Sequence, residues 1–190
     1  LTTTGEYEDV VKKEAEKELK ALSELIKPHI FGYESDDKIE AIIGRILTGQ
    51  QKTLATAESC TGGFLAHLIT SIPGSATYYK GTIVSYASEV KVNELGVSAE
   101  IIETKTPVCE EVAMQMAEGV RKKLNTDFAL STTGIAGPDG GTEDIPVGTV
   151  WIGYADKEKT FAKKFVFGSN RENNIRLAAI YALNELRTNI

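Results

Sequence analysis

Along the first quarter of the chain, Tyr7, Val10, Val11, Ala15, Leu19, Leu22 and Ile26 recur at helical spacing against a face dense in Glu and Lys. This pattern predicts an amphipathic helix that Pro28 ends. Ile30 to Tyr33 reads as a short strand, and the polar run Glu34-Ser35-Asp36-Asp37 as the break between an upstream piece, 1–36, and a main domain, 37–190. Ile39, Ile42, Ile43, Ile46 and Leu47 mark a second helix, closed near Gly49. From there the period switches back and forth. Strand 53–57 leads to helix 61–71, strand 81–86 to a helix around 89–95, and a longer helix near 110–124 to strand 127–133. Such alternation predicts an α/β layered fold. Residues 148–155 and 160–167, joined across Asp156-Lys157-Glu158-Lys159, read instead as an antiparallel hairpin, which makes the sheet mixed. A last helix, 171–186, carries Ile175, Ala178, Ala179, Ala182 and Leu186 on its inner face. The chain holds no internal repeat and no low-complexity tract.

Composition narrows the function classes. At 190 residues, 42% hydrophobic and 25% charged, the chain can bury a sizeable core. A net charge of -6 and a pI near 5.1 argue against non-specific DNA binding, which needs clustered positive charge to displace counterions. Any anionic ligand must therefore meet a local site. Two cysteines, Cys60 and Cys109, imply no disulfide framework and fit a reducing cytoplasm. No run of about 18 apolar residues and no signal-peptide pattern is found, so neither a membrane partner nor export is expected. The chain opens on Leu1 rather than Met, and a fragment of a longer protein is expected.

The stretch Ala57-Glu58-Ser59-Cys60-Thr61-Gly62-Gly63 places a hydroxyl nucleophile where a strand turns into a helix, beside unpaired backbone N–H groups suited to an anion or oxyanion. Taken alone, Ser59 or Thr61 reads as an N-cap and the glycines as a packing device. A serine nucleophile needs a base, and histidine is scarce. His29 lies in the upstream piece, and His67 sits eight residues past Ser59 on the same helix, roughly 12 Å along the axis. A Ser-His-Asp triad is disfavoured. Lysine is the other common partner of an activated serine, and tyrosine can relay a proton, which directs attention to Lys91 and Tyr86. Taken alone, Lys91 reads as a solvated helix lysine and Tyr86 as a core aromatic with its hydroxyl at the edge. Cys60 competes as nucleophile, with a small buried thiol as its alternative role. The loop 134–148, rich in Gly and Pro, lets backbone N–H groups approach a polar ligand or serves as a plain surface turn. It matches neither a phosphate loop nor a dinucleotide fingerprint. Asp139, Glu143 and Asp144, with the few His and Cys, make no metal-ligand spacing, and no metal is expected.

In order along the chain stand T-A-E-S-C-T-G-G at 56–63, I-P-G-S at 72–75, V-S-Y-A-S-E-V-K at 84–91, L-G-V at 95–97, T-G-I-A-G-P-D-G-G at 133–141 and P-V-G-T-V at 146–150. This series resembles the C-terminal domain of the competence/damage-inducible protein CinA, a family also known as stand-alone nicotinamide mononucleotide deamidases. The resemblance runs from about residue 37 to the C-terminus, and residues 1–36 resemble the end of the small domain that precedes it. The resemblance implies an α/β/α sandwich, commonly a homodimer. It implies hydrolysis of nicotinamide mononucleotide to nicotinate mononucleotide and ammonia without a cofactor, and an absent N-terminal domain carrying the family's ADP-ribose pyrophosphatase activity. By motif position Ser59 is the nucleophile and Tyr86 and Lys91 its activating partners. The Thr61-Gly62-Gly63 turn, whose helix N–H groups would hold the oxyanion, belongs with Thr133, Gly134, Gly137 and Arg171 to the substrate site. The glycine loop and Arg171 are the candidate phosphate donors, with Lys80 or Arg176 as substitutes. Two departures stand out: Cys109 replaces a usual serine at a helix start, and Asn170 replaces a usual aspartate before Arg171. A nucleotide-binding regulatory module without catalysis is the alternative reading, and a DNA-uptake role is disfavoured by the acidity.

Overall fold

The computed structural model describes residues 2–26 and 38–190, and the chain divides into two compact units with the division after Asp37. In the first unit, α1 (Glu8–Leu25) follows Tyr7 without a side-chain cap. Its exposed Lys12–Glu8 and Lys17–Glu14 pairs, at 2.7 and 3.1 Å, give the small support expected of solvated neighbours one turn apart. The expected strand at 30–33, the stop at Pro28 and His29 lie outside the described residues.

The second unit begins with α2 (Ile39–Gln50) and holds five strands: β1 (Leu54–Glu58), β2 (Tyr79–Val84), β3 (Phe128–Gly134), β4 (Thr149–Ala155) and β5 (Thr160–Val166). Between them come α3 (Phe64–Thr70), α4 (Ser88–Leu95), α5 (Ala99–Thr104) and α6 (Glu110–Leu124), and α7 (Arg171–Arg187) follows the last strand. The sheet order is β2-β1-β3-β4-β5. β1 runs parallel to β2 and β3, whereas β4 and β5 form the expected antiparallel hairpin beside β3. The sheet is thus mixed.

Alternation along the strands builds the layers. Leu54, Leu130, Ile152 and Tyr154 face one side and pack with Ile43 and Leu47 of α2, Leu65 and Ile69 of α3, and Ala179 and Leu183 of α7. Ala55, Ala57 and Ala129 face the other side and pack with Leu95, Val112, Met116 and Val120. The result is an α/β/α sandwich. The second face is made of small residues for a reason: Gly153 lies against the Ala113 carbonyl, where a Cβ would collide, and Ser131 Oγ donates to that carbonyl at 2.6 Å. Sheet and α6 thereby come into close contact.

Some boundaries differ from the sequence expectation. β2 starts and stops two residues early, so Tyr86 lies in the loop beyond it. Ser88 opens α4 as a helical residue after an Ala87 N-cap and makes no capping bond. α5, capped by Ser98 accepting from Ile101 N–H, was not anticipated, because its six residues are too few for a visible period.

Candidate active site

The carboxyl ends of β1, β2 and β3 share one edge, where ligands collect in open α/β sheets. The ladder runs one step past β1: Ser59 N–H donates to Thr132 O at 2.9 Å and Ser85 N–H to Glu58 O at 2.8 Å. Ser59 is therefore fixed by sheet hydrogen bonds on one side while the chain turns away on the other. That turn needs left-handed backbone at Gly62 (φ 58) and Gly63 (φ 100). An added Cβ at either glycine would meet no close atom, so conformation rather than space requires glycine there.

The N-terminus of α3 is already filled. The carboxylate of Glu58, fully buried, accepts from Gly63 N–H at 2.9 Å, Leu65 N–H at 3.1 Å and Ala66 N–H at 2.8 Å. Thr61 Oγ donates to it at 2.7 Å and Thr82 Oγ at 3.3 Å. The helix N–H groups assigned to an oxyanion by resemblance thus hold a protein carboxylate instead. With its proton given to Glu58, Thr61 accepts from Thr132 Oγ at 2.7 Å, so Thr61 lies under the turn. The sequence reading overlooked Glu58. It stands five residues before the Gly63 N-cap, outside the spacing of a capping box, and only the left-handed turn brings it back over the helix end.

A cavity of about 200 Å³ opens above this turn, and Ser59, Tyr86, Lys91, Thr133, Gly134 and Arg171 all line it, together with Cys60, Ala136 and the Pro107–Val108 wall. Thr61, Gly62 and Gly63 do not. Gly137 stands behind the cavity: its carbonyl accepts from Arg171 Nη1 at 2.8 Å. Thr133 Oγ donates to Pro107 O at 2.8 Å, tying the wall to the end of β3. Asn174, also unforeseen, donates to Ala136 O at 2.9 Å and Gly168 O at 2.8 Å and so clamps the glycine loop onto α7.

The isolated readings of Lys91 and Tyr86 are reversed. Lys91 is 2% exposed, and its Nζ lies 3.0 Å from Ser59 Oγ, 2.6 Å from Ser85 O and 3.3 Å from Tyr86 O. It makes no ion pair among the described residues, and burial lowers its pKa from the ordinary lysine value. Tyr86 is 64% exposed, and its hydroxyl meets Arg171 Nη2 at 3.4 Å. Lys91 thus reaches Ser59 directly, and Tyr86 supplies a carbonyl to the lysine and a ring to the cavity rim. Burial pushes the Cys60 thiol up to about 12, which keeps it protonated and a poor nucleophile near neutrality. His67, exposed on α3, packs near Phe64 and does not line the cavity. Among the described residues no group of three or more His, Cys, Asp and Glu could hold a metal ion, and no helix is long and apolar enough to cross a membrane.

Both departures from the family pattern have local outcomes. Cys109 is the N-cap of α6 and makes no side-chain cap bond. Asn170 accepts from Asn173 N–H at 2.9 Å, capping α7 as an aspartate would.

Fold and site together define a three-layer α/β domain with a serine–lysine pair at the carboxyl edge of its sheet. The CinA C-terminal domain model matches residues 36–190. The chain belongs to that family. It is 43% identical over 187 residues to a CinA-like protein of Cytophaga hutchinsonii, covering 98% of this chain and 44% of that protein. A CinA-like protein of Amoebophilus asiaticus is 46% identical over 176 residues, 93% of this chain and 42% of its own length. The chain thus spans less than half of these relatives. Among solved structures, a competence-damaged protein (CinA) superfamily protein from Escherichia coli superposes with a TM-score of 0.76 at 31% identity, over 87% of this chain and 98% of that one. The competence damage-inducible protein A of Klebsiella pneumoniae gives 0.77 at 33%, over 80% and 94%.

Proposed function

We propose that this domain is a serine amidase that hydrolyses the carboxamide of nicotinamide mononucleotide to nicotinate mononucleotide and ammonia. The observation that carries the reading is the buried Lys91 amine, without a carboxylate partner, 3.0 Å from Ser59 Oγ. A lysine acts as a base only when neutral, and removal from water favours that form. Its surroundings suit a neutral amine: two N–H groups donate to Ser85 O and Tyr86 O, and the lone pair accepts the Ser59 hydroxyl proton.

In the reaction, Ser59 Oγ attacks the carboxamide carbon while its proton passes to Lys91 Nζ. The carbonyl oxygen takes up the negative charge. The Cys60 N–H, next to the nucleophile and without a backbone acceptor among the described residues, is the candidate donor for it. Collapse of the tetrahedral adduct breaks the C–N bond, and Lys91 returns the proton so that nitrogen leaves as ammonia. Water then attacks the acyl-Ser59 ester, gives a proton to Lys91, and the collapse restores the Ser59 hydroxyl and frees the carboxylic acid. Arg171, tied to Gly137 and Tyr86, lines the cavity beside them. The proposal includes a homodimer and, in the full-length protein, an upstream domain and a cytoplasmic setting.

Ammonia release on mixing the protein with nicotinamide mononucleotide tests the reading, with Ser59→Ala as the control. Binding without ammonia would leave a nucleotide-binding module in its place.

A further inference from the structure

Four side-chain hydroxyls line the cavity above Ser59: those of Ser59, Tyr86, Ser88 and Thr133. Three of them are engaged. Ser59 Oγ meets Lys91 Nζ at 3.0 Å, Tyr86 Oη meets Arg171 Nη2 at 3.4 Å, and Thr133 Oγ donates to Pro107 O at 2.8 Å. The Cys60 thiol hydrogen-bonds with Thr132. Ser88 is the exception. Half-buried on the cavity wall, its side chain makes no hydrogen bond with any described residue, and it caps nothing although it stands at the start of α4. A half-buried hydroxyl without a protein partner is met by water or by a ligand.

The position of Ser88 on the helix gives such a water a use. Ser88 and Lys91 are three residues apart on α4, and residues at that spacing stand side by side on one helix face. The Lys91 side chain runs back toward the start of the helix, as helical side chains do, because its amine reaches Ser85 O and Tyr86 O in the chain before α4. It therefore runs alongside Ser88. In the free enzyme the lone pair of the amine takes up the Ser59 proton. Once Ser59 Oγ is bound in the acyl ester it has no proton to offer, and the group to be deprotonated next is the water that cleaves the ester. Lys91 can accept one proton of that water, but a single contact lets the water swing about it. A second fixed acceptor removes this freedom and turns an oxygen lone pair toward the acyl carbon.

We propose that Ser88 holds the water that hydrolyses the acyl-enzyme. The water donates one O–H to Lys91 Nζ and the other to Ser88 Oγ. As its oxygen bonds to the acyl carbon, the first proton passes to Lys91. Collapse of the adduct breaks the bond between that carbon and Ser59 Oγ, Lys91 returns the proton to Oγ, and the carboxylic acid leaves. Ser88 keeps its own proton throughout. The first half of the reaction, in which Ser59 itself attacks, uses no water and so does not depend on Ser88. The proposal rests on the reading of Ser59 as an acylated nucleophile and is independent of which amide supplies the acyl group.

The test separates the two halves with 4-nitrophenyl acetate, whose good leaving group makes acylation fast and leaves hydrolysis of the acetyl-Ser59 ester rate-limiting. The wild type should release a burst of nitrophenolate equal to the amount of enzyme and then a slower steady rate, and Ser59→Ala should give no burst. Ser88→Ala should keep the rate and amplitude of the burst while its steady rate falls about tenfold, the loss expected of one orienting hydrogen bond. In intact-mass spectra its acetylated form should persist longer by the same factor. Ser88→Thr retains the hydroxyl and should restore the steady rate. A burst and a steady rate that fall together in Ser88→Ala, a steady rate unchanged in that variant, a Ser88→Thr as slow as Ser88→Ala, or a wild type without a burst overturns the assignment. Ammonia release from nicotinamide mononucleotide judges the substrate separately. If the wild type gives the ester burst but no ammonia, the deamidase reading fails, and the role of Ser88 is still decided by the steady rates.

Discussion

Replacing Glu58 by glutamine preserves the size of the side chain and exchanges one acceptor oxygen for an NH2 donor, at a position where five donors converge. If the new nitrogen stood at the Oε2 position it would face the N–H groups of Gly63 and Leu65 and the Thr61 hydroxyl. At the Oε1 position it would face only the Ala66 N–H and the Thr82 hydroxyl. The second orientation is favoured, because a threonine hydroxyl can rotate to accept whereas a backbone N–H cannot. One buried N–H, that of Ala66, is then left without an acceptor, a loss of about 1–3 kcal/mol. The bonds that survive change from charge-assisted to neutral and weaken, while the uncharged amide is less costly to bury. The balance is a destabilisation of about 2–3 kcal/mol. For a domain of this size that lowers Tm by roughly 4–12 °C. α3 is only seven residues long, so the discrete bonds rather than the helix dipole carry the effect. Thermal unfolding followed by circular dichroism measures it, and turnover should fall alongside because Ser59 is the next residue. A Tm within about 2 °C of the wild type would refute the claim that the carboxylate holds this turn.

Lys91→Arg should abolish ammonia release while keeping a cooperative unfolding transition, since a guanidinium cannot give up its proton to act as a base; near-wild-type turnover would remove Lys91 from the chemistry. Because burial holds the Lys91 pKa below its ordinary 10.5, kcat/KM should rise with pH through that depressed value. The unfolded chain binds the proton that the folded one has released, so this group's contribution to stability also rises with pH, from the depressed folded value up to 10.5. A rate profile flat across that range contradicts the assignment. Ser59→Ala should eliminate turnover with little change in Tm, and Cys60→Ala should retain most of it; the reverse pattern would move the nucleophile to the thiol. A chain starting at Lys38 should unfold cooperatively and keep the ammonia activity, since the division after Asp37 precedes every residue of the site; an aggregated or molten product would show that the upstream unit is needed.

The layered fold was legible because its signals are local. Short apolar runs bounded by turn residues gave the strands, and the helical spacing after β1 and β2 gave the parallel half of the sheet. The short charged turn at 156–159, now seen with Asp156 accepting from the N–H groups of Glu158 and Lys159, gave the hairpin. What stayed hidden depends on contacts distant in sequence or on turns with unusual backbone. Glu58 acts across a left-handed turn that no capping rule anticipates. Asn174 holds Ala136 and Gly168 from another layer, and the Pro107–Val108 wall is joined to the site through Thr133, 26 residues away.

Lys91 was the residue whose environment a closer reading of period could have revealed. In α4 it lies four positions before Leu95, and these two alone are the buried residues of the helix. A lysine on the inner stripe of a short helix must either carry its amine out to water or find partners inside. Here the helix begins at the end of β2, and the chain before it bends so that the carbonyls of Ser85 and Tyr86 turn inward. The same bend leaves the Tyr86 ring outside, which is why the burial of the two residues is reversed relative to what each side chain would adopt alone. Two carbonyls can accept two N–H groups, and the third direction of the amine points at Ser59 Oγ. A charged ammonium could satisfy the same three directions, but without a carboxylate to offset its desolvation it is the costlier form. The fold thus shifts the amine beside the serine toward its neutral form before any substrate arrives.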